Sequence, residues 1–216
     1  LDVTDGDTIV ICDGWFHLHA QPYHWNGDLT PGVDVSPSTL TIRGVGKGDT
    51  VIDGINPADG GDTGPYRPFY FENTNLILED MTIMNTSPND YWGDDDFGSA
   101  NGGAVYVENG SLTVNDVDFI NSVSADSSGQ AIAVINADLE INNSTFDNTT
   151  GNSWFDSWLN EGDGGAVYVS SNSSSNPNPT VTIDNSTFQN LGTQGNGGAI
   201  ALYCADATIS DSYFYD

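Results

Sequence analysis

The chain has 216 residues and carries 31 acidic against 3 basic side chains, a formal net charge of −28. Nucleic-acid binding and attachment to anionic membranes both need a basic footprint, and Arg43, Lys47 and Arg67 cannot make one. Hydrophobic residues make up 37% and aromatics 11%, which excludes a disordered chain. No apolar run approaches the roughly 18 residues of a membrane span.

The first predicted strand is Asp7–Cys12 (DTIVIC). It leads into Trp15–Trp25 (WFHLHAQPYHW), which collects all three histidines. His17 and His19 would share one face of a strand, an arrangement that with His24 suits a transition metal; the plainer reading is a polar aromatic cover over the open end of the first coil. Residues 1–35 are therefore expected to form an irregular first coil. Leu40–Gly54 (LTIRGVGKGDTVIDG) reads as the next coil.

From there the chain repeats itself. Leu76–Asn85, Leu112–Asn121, Leu139–Asn148, Val181–Asn190 and Ala207–Asp216 align without gaps. Apolar residues two apart open each segment, an Asn/Asp-rich interruption follows, and a Phe or Ile stands two residues before the closing Asn or Asp. Between the segments recurs Gly-Gly-Ala-Val/Ile, at Gly102–Val105, Gly164–Val167 and Gly197–Ile200, with a near copy at Gly129–Ile132. The Ala positions 104, 131, 166 and 199 are spaced by 27, 35 and 33 residues. Self-similarity at this period means a stack of like units. Asn, Thr, Ser, Gly and β-branched residues dominate, and no helical periodicity is sustained, so the units are strands rather than helices. Stacked about 4.8 Å apart, they place Ala on Ala, Phe on Phe and Asn on Asn. An interior asparagine ladder is expected to satisfy backbone groups at the turn.

These residues resemble the right-handed parallel β-helix superfamily. Within it they are most similar to the repeats of chlamydial polymorphic outer-membrane proteins and of archaeal and bacterial adhesin-like surface proteins, which pair Gly-Gly-Ala-Ile with Phe-x-x-Asn. Here the second phrase is one residue shorter, Phe-x-Asn. The fold expected is all-β: a single-stranded right-handed parallel β-helix of roughly six to seven coils. It forms one domain over 1–216, with regular coils over 36–216 and long loops at 86–101 and 149–163. The resemblance implies an extracellular or cell-surface module, the chain being a processed or excised piece.

Many β-helix proteins act on polysaccharides, but the matching signatures are missing. The acidic cluster Asp94–Asp96 has no Gly-His-Gly or Arg-x-Lys companion, and a lyase would need an arginine or lysine as base. No catalytic residue is assigned. The expected function is a non-catalytic structural or adhesive module of a cell surface or filament; a polysaccharide-active enzyme and a carbohydrate-binding module are the alternatives. Candidate contact residues sit on the two long loops: Tyr91, Trp92 and Phe97 on the first, Trp154, Phe155 and Trp158 on the second. Asp94, Asp95 and Asp96 are candidate Ca²⁺ ligands, and structural Ca²⁺ is the one cofactor considered. Of the glycosylation sequons, Asn109 and Asn172 are the favoured acceptors, because Asn85 and Asn148 belong to the interior ladder. Cys12 and Cys204 lie too many coils apart to pair within the chain. They are free thiols, or they join copies end to end, making the chain itself one expected partner beside surface glycans and proteins.

Overall fold

In the computed structural model the described residues are 4–18, 39–55, 67–87, 101–123, 128–149, 162–171, 178–193 and 195–216. They form seventeen strands and no helix. Those of one group are β1 (Thr8–Val10), β2 (Gly14–His17), β3 (Thr39–Arg43), β4 (Thr50–Asp53), β6 (Asn75–Met84), β8 (Ser111–Ile120), β10 (Asp138–Asn142), β11 (Thr145–Asp147), β13 (Thr180–Asp184), β14 (Thr187–Gln189), β16 (Asp206–Ser210) and β17 (Tyr213–Tyr215). They make a 12-stranded sheet with two columns, β1-β3-β6-β8-β10-β13-β16 and β2-β4-β6-β8-β11-β14-β17. The others are β5 (Phe69–Glu72), β7 (Val105–Glu108), β9 (Ile132–Ile135), β12 (Val167–Ser170) and β15 (Ile200–Tyr203), which form a second sheet in the order β15-β12-β9-β7-β5. Every pairing is parallel. Each column of the larger sheet is seven strands deep, and its successive strands are here called layers.

The register reproduces the sequence alignment. Leu76, Leu112, Leu139, Val181 and Ala207 form one inward column. Ile9, Ile42, Leu78, Val114, Ile141, Ile183 and Ile209 form a second. Phe16, Ile52, Ile83, Phe119, Phe146, Phe188 and Phe214 form a third. The fully buried rings of Phe119, Phe146 and Phe188 stack at centroid distances of 4.9 and 4.7 Å, tilted by 7° and 4°. Each such pair contributes roughly 0.5–1.5 kcal/mol beyond its buried area. The second sheet closes the core with Phe69, Phe71, Val105, Val107, Ile132, Val134, Val167 and Val169.

Sharp corners separate the columns. Among the described residues, thirteen non-glycine positions have positive φ; all are Asn or Asp except Cys204. These two residue types tolerate the left-handed region because a short polar side chain finds local hydrogen bonds there. Three corners emerge: Asn73, Asn109, Asn136 and Cys204; Asp80, Asp116, Asn143, Asn185 and Asp211; and Asn85, Asn121, Asn148 and Asn190. The last set corrects the expected interior ladder. Its amides run along the outside, half-buried at Asn85 and Asn121 and exposed at Asn148 and Asn190. They bond side chain to side chain, Asn121 Nδ2 donating to Asn85 Oδ1 at 3.1 Å and Asn148 Nδ2 to Asn121 Oδ1 at 2.5 Å. The left-handed backbone turns each Cβ away from the core, so these side chains line a surface edge.

The Gly-Gly-Ala phrase works through two distinct constraints. Its first glycine is left-handed, with φ of 75°, 70°, 76° and 70° at Gly102, Gly129, Gly164 and Gly197. Its second glycine faces the next layer: a Cβ on Gly165 would lie 1.9 Å from the Gly198 carbonyl oxygen, and one on Gly103 2.2 Å from that of Gln130. At Gly198, in the last layer, a Cβ would meet nothing within 4 Å. Gly165→Ala is therefore expected to destabilise the chain by about 1–3 kcal/mol. Gly198→Ala should change stability by no more than about 0.5 kcal/mol, urea titration of both variants being the check.

Candidate functional site

Most residues singled out from the sequence as contacts or ligands lie outside the described residues: Tyr91, Trp92, Asp94, Asp95, Asp96, Phe97, Trp154, Phe155, Trp158, His19, His24 and Asn172. The roots of the two long segments are described. One leaves beyond Asn85, Thr86 and Ser87, the other beyond Asn148 and Thr149. Asn85 and Asn148 belong to one corner column with Asn121 between them, so the two segments depart from the same edge, two layers apart, about 10 Å at the strand spacing. Both roots are fixed. Thr86 Oγ1 donates to Ser122 Oγ at 2.9 Å, and Thr149 Oγ1 to the Gly165 carbonyl at 2.7 Å.

His17 is bound to its neighbours on the next layer. Its Nδ1 lies 3.0 Å from the Ile55 carbonyl and 3.5 Å from Asp53 Oδ2. Asp53 is buried, and its Oδ1 accepts hydrogen bonds from the Ile55 N–H and from Asn85 Nδ2, each at 3.0 Å. Among the described residues, no three His, Cys, Asp or Glu side chains converge as metal ligands. Cys12 and Cys204 are free and exposed. Cys12 follows β1 while Cys204 precedes β16, so along the strand column they stand at opposite ends of a five-residue strand, on the order of 16 Å apart in projection. Asn109 is an exposed left-handed corner residue.

All three basic side chains are engaged. Arg43 Nη2 lies 2.5 Å from Glu79 Oε2, joining β3 to β6. Lys47 Nζ reaches from the β3–β4 connection to Asp118 Oδ1 at 3.1 Å and to the Asn143 carbonyl at 2.7 Å. Asp118 Oδ1 is buried and receives no well-directed hydrogen bond; the lysine charge alone compensates it. Arg67 lies over two stacked tyrosines, 5.0 Å from the Tyr70 ring centroid and 5.5 Å from that of Tyr106, and donates to the Asn101 carbonyl at 2.8 Å.

That arginine marks a cluster that the sequence reading passed over. On the outer face of the second sheet, Tyr70 and Tyr106 stack at 5.0 Å and 9°. Tyr70 donates to Glu72 Oε1, and Tyr106 to Glu108 Oε2 at 2.9 Å. Glu72 sits directly beside Glu108 in the ladder. Elsewhere in the described strand pairs a carboxylate has an uncharged or basic neighbour: Arg43 and Asn115 beside Glu79, Thr82 and Thr145 beside Asp118, Asn142 and Ser210 beside Asp184. Among the described ladder partners this like-charge pair coincides with the arginine and the two phenol donors, while Asp80 and Asp116 follow one another at a corner. The sequence did hold the signal, since Phe-Tyr-Phe-Glu at 69–72 and Val-Tyr-Val-Glu at 105–108 repeat Tyr-x-Glu at a spacing of 36.

A shallow polar groove of about 210 Å³ lies between the two sheets, lined by Gly110, Asn136, Ala137, Asp138, Ser171, Asn178 and Pro179. It contains one carboxylate, and Asp138 Oδ1 already accepts from the Thr180 N–H at 2.7 Å. Hydrolysis of a glycosidic bond by two carboxylates needs a second one across the groove. Near the last layer, Asp163 accepts from the Tyr203 hydroxyl at 2.5 Å and from the Asn196 N–H at 2.6 Å. These bonds, the tyrosine's first, hold its carboxyl below the usual aspartate range.

Burial, and then the Glu108 hydrogen bond and charge, push the Tyr106 hydroxyl above the ordinary tyrosine range. A raised folded-state pKa gives stability that is present below the unfolded value of about 10 and is lost as pH rises through the folded value. Absorbance titration at 295 nm is expected to show a Tyr106 transition above the ordinary tyrosine range, identified by its loss in Tyr106→Phe. Glu108→Gln should move that transition downward without returning it to the ordinary range, since burial remains. Comparison of the chain with protein-family models, with curated proteins and with solved structures finds no match.

Proposed function

We propose that the chain is a right-handed single-stranded parallel β-helix, one coil per layer and seven coils in all, that serves as a non-catalytic structural module of a cell surface or filament outside the cell. The observation that carries this reading is the direction of its polar contacts. Arg43, Lys47, the corner amides and the buried hydroxyls bond from one layer to the next rather than converging on a common point. A catalytic site needs the opposite arrangement, several groups aimed at one reacting atom. The acidic surface supports an extracellular setting, where a solvated coat of carboxylates keeps copies apart and draws divalent cations.

A second reading adds adhesion. The two acidic-aromatic segments leave one edge two layers apart, which favours a shared contact surface built from Tyr91, Trp92, Phe97, Trp154, Phe155 and Trp158 for a surface glycan or protein. Asp94–Asp96 would supply Ca²⁺ ligands there, and Asn109 and Asn172 would carry glycans.

Incubation with neutral and acidic polysaccharides tests the non-catalytic claim. No new reducing ends and no unsaturated products absorbing at 235 nm are expected. Release that disappears on Asp138→Asn would replace the structural reading with an enzymatic one. Glycan-array binding with and without a calcium chelator examines the contact surface, and paired Trp92→Ala and Trp154→Ala changes should abolish any signal together.

A further inference from the structure

Among the described residues, Tyr70 on β5 and Tyr106 on β7 are the two tyrosines that face each other directly as ladder partners. Their rings lie nearly parallel, with centroids 5.0 Å apart at 9°. Each hydroxyl donates to the glutamate two residues on, so both rings lean the same way along their strands. The carbons flanking one hydroxyl are thereby set over those flanking the other. Tyr168 and Tyr203 also meet, but diagonally, at 5.7 Å and tilted by 51°. Removing an electron from a phenol makes it a strong acid, and a base already in hydrogen-bond reach takes the proton in the same step. Glu108 Oε2 stands 2.9 Å from the Tyr106 hydroxyl, and Glu72 Oε1 accepts from that of Tyr70. The Arg67 guanidinium, 5.0 and 5.5 Å from the two centroids, opposes positive charge on either ring, so electron and proton must leave together.

We propose that Tyr70 and Tyr106 form a site of oxidative cross-linking, where a peroxide-derived one-electron oxidant joins the two rings as a dityrosine. Half-buried Tyr70 meets the oxidant first, and its proton passes to Glu72. Buried Tyr106 then supplies an electron across the 5.0 Å stack and gives its own proton to Glu108, while Tyr70 recovers its hydrogen. A second oxidation of Tyr70 leaves two phenoxyl radicals face to face. One carbon beside each hydroxyl joins the other in a single C–C bond, and the hydrogens those two carbons carried move to the phenoxyl oxygens. The pair loses two electrons and two protons in all, which convert one hydrogen peroxide to two waters. Register holds the partners together before they react, which is the advantage an intramolecular coupling has over a collision. The new bond ties β5 to β7 and closes a loop that contains β6, a constraint that falls mainly on the unfolded chain.

Folded chain at low concentration, treated with a haem peroxidase and hydrogen peroxide, tests the site. The product is expected to be lighter by two hydrogen atoms, to show the blue fluorescence of dityrosine, and to unfold at a higher urea concentration than the untreated chain. Cleavage after acidic residues should release one peptide pair joined through Tyr70 and Tyr106. Tyr70→Phe and Tyr106→Phe should each abolish that pair, and Glu72→Gln combined with Glu108→Gln should slow its formation about tenfold or more. If a variant loses its strand circular dichroism, the wild-type chain compared folded and in urea decides instead, the pair being expected from the folded state alone. Folded wild-type chain that yields no cross-link, or links only through other tyrosines such as Tyr168 with Tyr203, would overturn the assignment. So would a Tyr70–Tyr106 link that forms as fast in urea, since register would then contribute nothing. An unchanged rate in the folded double glutamate variant would overturn the part given to the two carboxylates.

Discussion

In-register parallel pairing obliges every residue to be compatible with its own counterpart one strand spacing away. That single requirement organises the rest of the molecule. Apolar residues meet it readily, and the inward columns are uniform in character along the whole stack. Phenylalanines meet it by offset stacking at 4.7–4.9 Å, which is the strand spacing itself. Asparagine meets it by donating to one neighbour and accepting from the other, as Asn121 does between Asn148 and Asn85. A carboxylate cannot meet it, since it only accepts and repels its like. This is how a chain of charge −28 remains layered: along the described ladders its acids are set beside uncharged or basic neighbours, as Asp118 beside Thr145, Asp184 beside Asn142, Asp147 beside Ile120 and Glu79 beside Arg43.

The exception shows the rule at work. Glu72 and Glu108 stand side by side, and there the structure gathers two phenol donors and a guanidinium. The raised tyrosine follows from that electrostatic setting combined with burial. Two phenol donors and a guanidinium thus offset two adjacent carboxylates.

What could be read from the sequence follows the same logic. The inward columns were legible residue by residue, because two-residue alternation and the recurring Phe survive any change of loop length. Four strands of the second sheet were visible through a Gly-Gly-Ala or Gly-Gln-Ala preface, as in Val105–Glu108 after Gly102, while β5, preceded by Arg67 and Pro68, carries no such mark. The depth of the asparagine ladder was not legible: alignment shows that Asn85, Asn121 and Asn148 stack, but whether their Cβ atoms face in or out depends on a left-handed φ that spacing does not encode. Pairings across layers were equally hidden. Arg43 and Glu79 are 36 residues apart, and Lys47 and Asn143 are 96 apart. Their meeting depends on how many residues each layer consumes, which the variable loops obscure.

Lys47 has one further effect. Stacked units ordinarily sense only their immediate neighbours, so such proteins tend to come apart one unit at a time from an end. The connection carrying Lys47 leaves the β3–β4 layer, donates from the Gly48 N–H to Thr82 Oγ1 on the following layer, and reaches Asp118 and Asn143 on the two beyond. It acts as a strap across four successive layers. Those four layers are thereby coupled beyond nearest neighbours, whereas the layer of β1 and β2 on one side and the layers of β13 to β17 on the other lie outside its reach.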